Sequence, residues 1–284
     1  MKKYCNLHEP LIQRIFDEEQ NEKAAKTRLH QLYGSYIQPN GVKKAAALLR
    51  ELATNAGDGG DISERHAPGG CAPSGLTNYS QGVNSYQTEN NKDTLKDTFC
   101  NSLLKLHSST SERLPYIHEF YGFIKSVVGE VNTVLDLGCG FNPFSLAFFP
   151  WSIKEYHAID IDTATRDLLN EYFTLVNLPK YASCADLVTE APHVQTDLAL
   201  MLKLLPVLES NKPGRGYELA NSLNAKWLVI TFPTKSLGGK YKGMEKNYTD
   251  SFHEASQNNQ LDNFTLSAKN HIGSELVFIL KNLR

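Results

Sequence analysis

The chain predicts an α/β fold built on a mostly parallel, doubly wound sheet, and three observations predict it. Beyond Val131, short apolar runs alternate with helical patterns, the rhythm of strand–helix–strand units in a parallel sheet. Two last apolar runs, Asn263–Ala268 and Glu275–Leu280, follow each other across a short turn at Asn270–Gly273, which adds an antiparallel edge. Finally, Val134-Leu-Asp-Leu-Gly-Cys-Gly-Phe-Asn-Pro143 reads as a buried strand that ends in an acid and turns on glycines into a helix.

From the start, Leu7, Leu11, Ile12, Ile15 and Phe16 recur at helical spacing, and a charged helical stretch runs from Asn21 to about Tyr36. Pro39-Asn-Gly41 breaks it, and Val42 to Ala53 forms a third short helix. From Asn55 to about Lys92, glycine, serine, asparagine and threonine dominate. Such a segment buries too little apolar surface to offset its ordering entropy, so it is expected to be a long loop or insertion. Helical pattern resumes at Thr94 with Leu95, Phe99, Leu103, Leu104 and Leu106. In His107-Ser-Ser-Thr-Ser-Glu-Arg-Leu-Pro115, Ser108, Ser109 and Thr110 offer capping oxygens, and Pro115 suits the first turn of an amphipathic helix carrying Ile117, Phe120, Tyr121, Ile124 and Val128. The parallel strands are expected at Thr133–Leu137, Tyr156–Ile159, Tyr181–Ala185, Leu198–Leu202 and Trp227–Phe232. The domain boundary falls near residue 106: helices over 1–106, interrupted at about 55–92, and the sheet domain over 107–284.

Composition narrows the function. Hydrophobic content of 41% and charged content of 21% fit a globular protein, and a net charge of −2 gives no global nucleic-acid signature, although a local basic patch could serve. Five scattered cysteines lack zinc-ligand spacing and read as reduced thiols, so no metal is expected. No apolar leader or membrane span is evident, and a cytoplasmic protein is expected.

Each strand end offers a ligand group. Asp136 precedes the turn at Gly138 and Gly140, where a dinucleotide fingerprint would want a small third residue and the chain has Pro143. A carboxylate there would repel a pyrophosphate and attract an ammonium, which points to S-adenosyl-L-methionine. Asp160 can bind both ribose hydroxyls. Asp162, two residues on, competes for that role but suits the following helix cap. Asp186 can accept from the adenine amine while Leu187 touches the ring. A mostly parallel sheet with a terminal hairpin is the layout of the Rossmann-like, class I methyltransferases.

The His107–Pro115 motif, the Asp136–Pro143 turn and Phe232-Pro-Thr-Lys-Ser-Leu-Gly-Gly-Lys-Tyr-Lys-Gly-Met244 resemble the Arm/Rmt aminoglycoside-resistance 16S rRNA methyltransferases, as does Leu200-Met-Leu-Lys-Leu-Leu-Pro-Val-Leu-Glu209. The resemblance runs from about Leu95 to the end and more loosely over the N-terminal helices. It implies methylation of guanine N7 in the decoding A-site of the 30S subunit, with no membrane or DNA partner, by a monomer. It implies that Arg113 holds the cofactor carboxylate, and that Lys203, Ser236, Lys240, Lys242 and Met244 position the target nucleotide with no general base. It also implies that Lys23, Lys26, Arg28, Lys43, Lys44 and Arg50 face rRNA; pattern alone reads them as a solvated surface. The 55–92 segment departs from the family pattern, and Lys240 stands where the family has arginine, keeping the charge but not the planar fork. An adenine-N1 methyltransferase of the same site, a small-molecule methyltransferase and a non-catalytic RNA-binding protein are the alternatives.

Overall fold

A computed structural model describes residues 6–33, 40–57, 98–234 and 244–284. Seven strands form one sheet in the order β3-β2-β1-β4-β5-β7-β6. They are β1 (Thr133–Leu137), β2 (Glu155–Asp160), β3 (Ala182–Cys184), β4 (Thr196–Leu202), β5 (Ala225–Pro233), β6 (Phe264–Ile272) and β7 (Glu275–Asn282). The first five pair in parallel, and β7 joins β5 and β6 antiparallel. Alternation of side chains across the sheet makes two cores. Val134, Leu198, Leu200, Val229, Val277 and Ile279 face one, while Leu135, Ala199, Met201, Ile230, Leu276 and Phe278 face the other.

The helices are α1 (Glu9–Glu18), α2 (Glu22–Tyr33), α3 (Gly41–Gly57), α4 (98–104), α5 (Ser108–Arg113), α6 (Ile117–Val128), α7 (Thr163–Leu175), α8 (Leu205–Asn211), α9 (Arg215–Ser222) and α10 (Met244–Gln257). The five expected residues of α6 are all buried. The hairpin turn lies at Gly273–Ser274 rather than Asn270–Gly273, because β6 runs on to Ile272 and pairs there with β7, and three further details differ from the sequence reading. The segment after β1 is a 3-10 helix, Asn142–Phe148, with Pro143 in its first turn. Turn residues rather than a helix join β3 to β4. And α5 has no side-chain cap: Thr110 Oγ donates to the carbonyls of Leu104, at 2.6 Å, and His107, at 3.1 Å, closing α4 instead.

The first three helices are bound into the sheet domain. Ala45 and Leu49 of α3 enter the same core as Leu168, Leu169 and Tyr172 of α7. Leu7, Leu11 and Ile15 of the α1 segment pack with Ala25 and Leu29 of α2. The backbone before α1 bonds to the loop after β2, His8 N–H to Ile161 O at 2.8 Å and Thr163 N–H to Asn6 O at 2.6 Å. Most of the 55–92 segment lies outside the described residues.

Candidate active site

Strand order reverses between β1 and β4, and a crevice outside the carboxyl ends of the strands follows from that topology. The cavity there encloses about 1110 Å³, mouth included. Its wall includes Gly138, Gly140, Asp160, Asp186, Leu187 and Lys203 from the sheet side, Arg113 from α5, and Leu11 and Arg14 from α1.

The glycine turn is shaped for close approach. Gly138 and Gly140 hold left-handed backbone, φ 61° and 49°. A Cβ on Gly140 would stand 2.7 Å from His107 Nε2. The Gly140 N–H donates to Asp160 Oδ2 at 2.8 Å, while Asp160 Oδ1 accepts from the N–H groups of Ile161, at 2.7 Å, and Asp162, at 3.2 Å. Burial pushes the Asp160 pKa up against these bonds, and Oδ2, with a single donor, keeps acceptor capacity. Asp162 caps α7, accepting from Thr165 N–H at 2.6 Å, as its position suggested.

Asp136 stands behind the wall and is 1% exposed. Tyr156 OH and Asn142 Nδ2 donate to its Oδ2 at 2.6 and 3.0 Å. Its Oδ1 has no hydrogen-bond donor among the described residues. Burial raises its pKa to about 6. It reaches the wall through Asn142, whose Oδ1 accepts from Arg113 Nη1 and Tyr121 OH, both at 2.9 Å.

Arg113 is 4% exposed. Its Nε and Nη2 grip both oxygens of Glu275 at 2.9 and 3.0 Å, and Phe120 lies under the guanidinium at 4.8 Å. The bidentate partner is thus a protein carboxylate. One hydrogen on each of Nη1 and Nη2 remains. Burial works to raise the Glu275 pKa, and the Arg113 and Lys203 charges outweigh it, holding the carboxyl below its ordinary value. Lys203 Nζ donates to Glu112 at 2.7 Å and lies 3.6 Å from Glu275. Its backbone is left-handed, φ 57°, a strain of about 1–3 kcal/mol held by bonds from its N–H to Thr231 O and Oγ1 at 3.1 and 3.0 Å.

Asp186 is 2% exposed and accepts from Arg14, Nε to Oδ2 at 2.5 Å and Nη2 to Oδ1 at 3.3 Å, and from Val188 N–H at 3.1 Å. Leu187 lies beside it in the wall with Val188 and Leu208. Arg14 Nη1 also bonds both oxygens of Glu18 at 3.0 Å. Glu18 in turn accepts from Arg28 at 2.8 Å, and Arg28 reaches Asn211 of α8 at 3.4 Å.

These groups fit an adenosyl sulfonium amino acid. The apolar wall by Asp186 suits adenine, the Asp160 Oδ2 can accept from a ribose hydroxyl, and the remaining hydrogens of Arg113 suit a carboxylate. Asp136, with its Oδ1 unpartnered among the described residues, stands behind this wall and reaches it through Asn142. Sequence reasoning missed Glu275, Asn142 and Arg14. Glu275 left a faint signal as an acid leading the apolar run Leu276–Leu280.

On the outer face of the helices, Lys23, Lys43, Lys44 and Arg50 are exposed. Lys26 pairs with Glu22, and Arg28 is committed to Glu18, Glu19 and Asn211. Met244 opens α10; Ser236, Lys240 and Lys242 lie outside the described residues. No group of three or more His, Cys, Asp or Glu side chains placed to hold a metal occurs among the described residues, and none of their helices is long and apolar enough to cross a membrane.

Residues 85–279 match the model of the ribosomal RNA methyltransferase family FmrO. A 16S rRNA (guanine(1405)-N(7))-methyltransferase of Micromonospora echinospora is 31% identical over 91% of this chain and 81% of its own. One of the same description from Serratia marcescens is 31% identical over 99% and 94%. The 16S rRNA methyltransferase RmtF, solved with S-adenosyl-L-homocysteine, superposes with a TM-score of 0.73 at 30% identity, covering 98% of this chain and 93% of its own. RmtB, a 16S rRNA methylase, gives 0.71 at 28% over 99% and 94%. With a class I sheet, a cofactor cavity at its switch point and these relatives, the chain belongs to the FmrO family of ribosomal RNA methyltransferases.

Proposed function

We propose that this enzyme transfers the methyl group of S-adenosyl-L-methionine to N7 of a guanine in the decoding site of 16S rRNA, acting on the 30S subunit, and so gives aminoglycoside resistance. The observation that carries the reading is the cavity itself, whose Asp160, Asp186 and Arg113 match an adenosyl amino acid in a chain similar over nearly its whole length to guanine-N7 methyltransferases.

When bound, the cofactor supplies an electrophilic methyl group on a sulfonium. Guanine N7 carries an in-plane lone pair and no proton, so the protein needs no general base. Its work is positioning, which is worth on the order of 7–11 kcal/mol of a barrier. Asp160 orients the ribose, Asp186 and Leu187 the adenine, Arg113 the carboxylate, and Asp136 acts behind Asn142. Gly138 and Gly140 let the backbone approach. Lys203, in the cavity wall, exchanges Glu112 for the target nucleotide, with Ser236, Lys240, Lys242 and Met244 completing the grip on an unstacked base. Residues 1–106 form the docking subdomain, in which Lys23, Lys43, Lys44 and Arg50 meet phosphates; Lys26 and Arg28 must first share or leave their acidic partners. The enzyme works as a cytoplasmic monomer.

The test is methyl transfer to purified 30S subunits, followed by chemical mapping of N7-methylguanine. A single decoding-site guanine should be modified, and expression in a sensitive host should abolish gentamicin and kanamycin susceptibility while sparing streptomycin. A methyl group on adenine N1, or on a small molecule alone, would overturn the reading.

A further inference from the structure

The cofactor cavity is not made by the sheet domain alone. Arg14, on α1, is separated from Asp186 by 172 residues of chain, yet its guanidinium lies in the cavity wall against that carboxylate. Both side chains are withdrawn from solvent, at 12% and 3% exposure. Leu11, one helical turn before Arg14, contributes apolar wall on the same side.

We propose that Arg14 is a positioning residue for the adenine end of the cofactor, so that the N-terminal helices complete the cofactor site as well as docking rRNA. The inference rests on Asp186 being the adenine contact. A carboxylate accepts about four hydrogen bonds, and Asp186 uses three, two of them from Arg14. The Arg14 fork fixes the plane of the carboxylate and compensates its charge in a site nearly free of water, leaving one lone pair for the exocyclic amine. Without Arg14, a single backbone N–H from Val188 would hold a buried charge. The carboxylate would then rotate toward water, which removes the directed acceptor. Arg14 is itself held: Glu18 receives its Nη1 and binds Arg28, which is anchored to Asn211 at the end of α8, another cavity wall. The belt Asp186–Arg14–Glu18–Arg28–Asn211 therefore spans the adenine end of the cavity.

A residue that only walled the cavity would affect all ligands of one shape alike, whereas a residue that aims Asp186 governs recognition of the amine. Calorimetric affinities for S-adenosyl-L-homocysteine and S-inosyl-L-homocysteine separate these roles, because the inosyl base presents a carbonyl where adenine presents the donor. The parent protein should prefer the adenosyl ligand, and Arg14→Ala should weaken that ligand about tenfold while narrowing the preference by a similar factor. Arg14→Lys, which keeps the charge and loses the fork, should fall between them. Equal losses for both ligands, or none, in a folded Arg14→Ala or Arg14→Lys protein would overturn the proposal while leaving the adenine contact standing. Preference retained in Asp186→Asn would remove that contact, and the proposal with it.

Discussion

Replacing Glu275 by glutamine should cost the fold more than any other isosteric change near the cavity. The carboxylate is 1% exposed and faces two cations, Arg113 through two bonds of 2.9 and 3.0 Å and Lys203 at 3.6 Å. Unit charges about 4 Å apart at an effective dielectric of about 20 attract by about 4 kcal/mol, and stripping the partner from a buried ion typically costs about 3–5 kcal/mol. Lys203 retains Glu112 at 2.7 Å; among the described residues Arg113 retains Asn142, the face of Phe120 and the more distant Asp136 charge. Glu275→Gln should therefore lose about 4 kcal/mol in urea unfolding and bind S-adenosyl-L-methionine weakly. Converting the pair to Arg113→Met with Glu275→Leu removes both charges at similar volume and should recover stability to within about 1 kcal/mol of the parent, yet cofactor binding should stay weak because the guanidinium is gone. A Glu275→Gln protein within about 1 kcal/mol of the parent, or a double variant no more stable than the single, would refute this account of the buried network.

Asp160→Ala and Asp186→Ala should each weaken S-adenosyl-L-methionine binding by about 1.5–3 kcal/mol in calorimetry, and unchanged affinity would remove either acid from the site. Burial, with the Arg113 and Lys203 charges near it, pulls the His107 pKa down from 6.5 to about 4. The unfolded chain thus binds more protons between those values, and His107 support is complete above pH 6.5 and lost toward pH 4. Against a His107→Gln variant, the parent should lose roughly 3 kcal/mol of relative stability from pH 7 to pH 4; a pH-independent difference argues for a solvated ring. Gly140→Ala places a methyl 2.7 Å from His107 Nε2 at φ 49°, so cofactor affinity and the thermal midpoint should both drop. Neutralising Lys43 and Lys44 together should flatten the salt dependence of 30S binding by about one unit each without touching cofactor affinity, and an unaltered slope would make them ordinary surface lysines.

The strands were legible because alternation and apolar runs depend on local sequence: β1 spans the five residues its pattern indicated, and every other strand differs only at its ends. The placing of Asp160 was legible for the same reason, since it closes β2 and lines the crevice; Asp186 lies two residues beyond β3, and Asp136, one short of the end of β1, stands behind the wall. Glu275 and Arg14 were not legible, because their meaning lies in partners 162 and 172 residues away. No periodicity within a window reports such a pairing. Asn142 was hidden by its neighbours: between Phe141 and Pro143 it reads as a turn residue, and only the fold brings Asp136, Tyr121 and Arg113 around it. The 3-10 geometry after β1 was likewise set by packing of Phe144 and Phe148 against the core, which helical spacing alone does not distinguish from an α-turn.

The pairing of Arg113 with Glu275 also bears on the life of the chain during synthesis. Residues 6–8 bond to the loop at 161–163, and the carboxylate that neutralises Arg113 lies 162 residues further along the chain, on β7. Contacts this distant in sequence close slowly, because the entropy of a long loop is spent before they form. A nascent chain that has made β1 through β5 already exposes the glycine turn and the strand-end acids, yet Arg113 then has no counter-charge and the edge of β5 lies open. Such a species invites strand pairing with a neighbouring chain. Cofactor capture therefore depends on β7, and damage to that strand should show first as poor yield rather than as a slow enzyme.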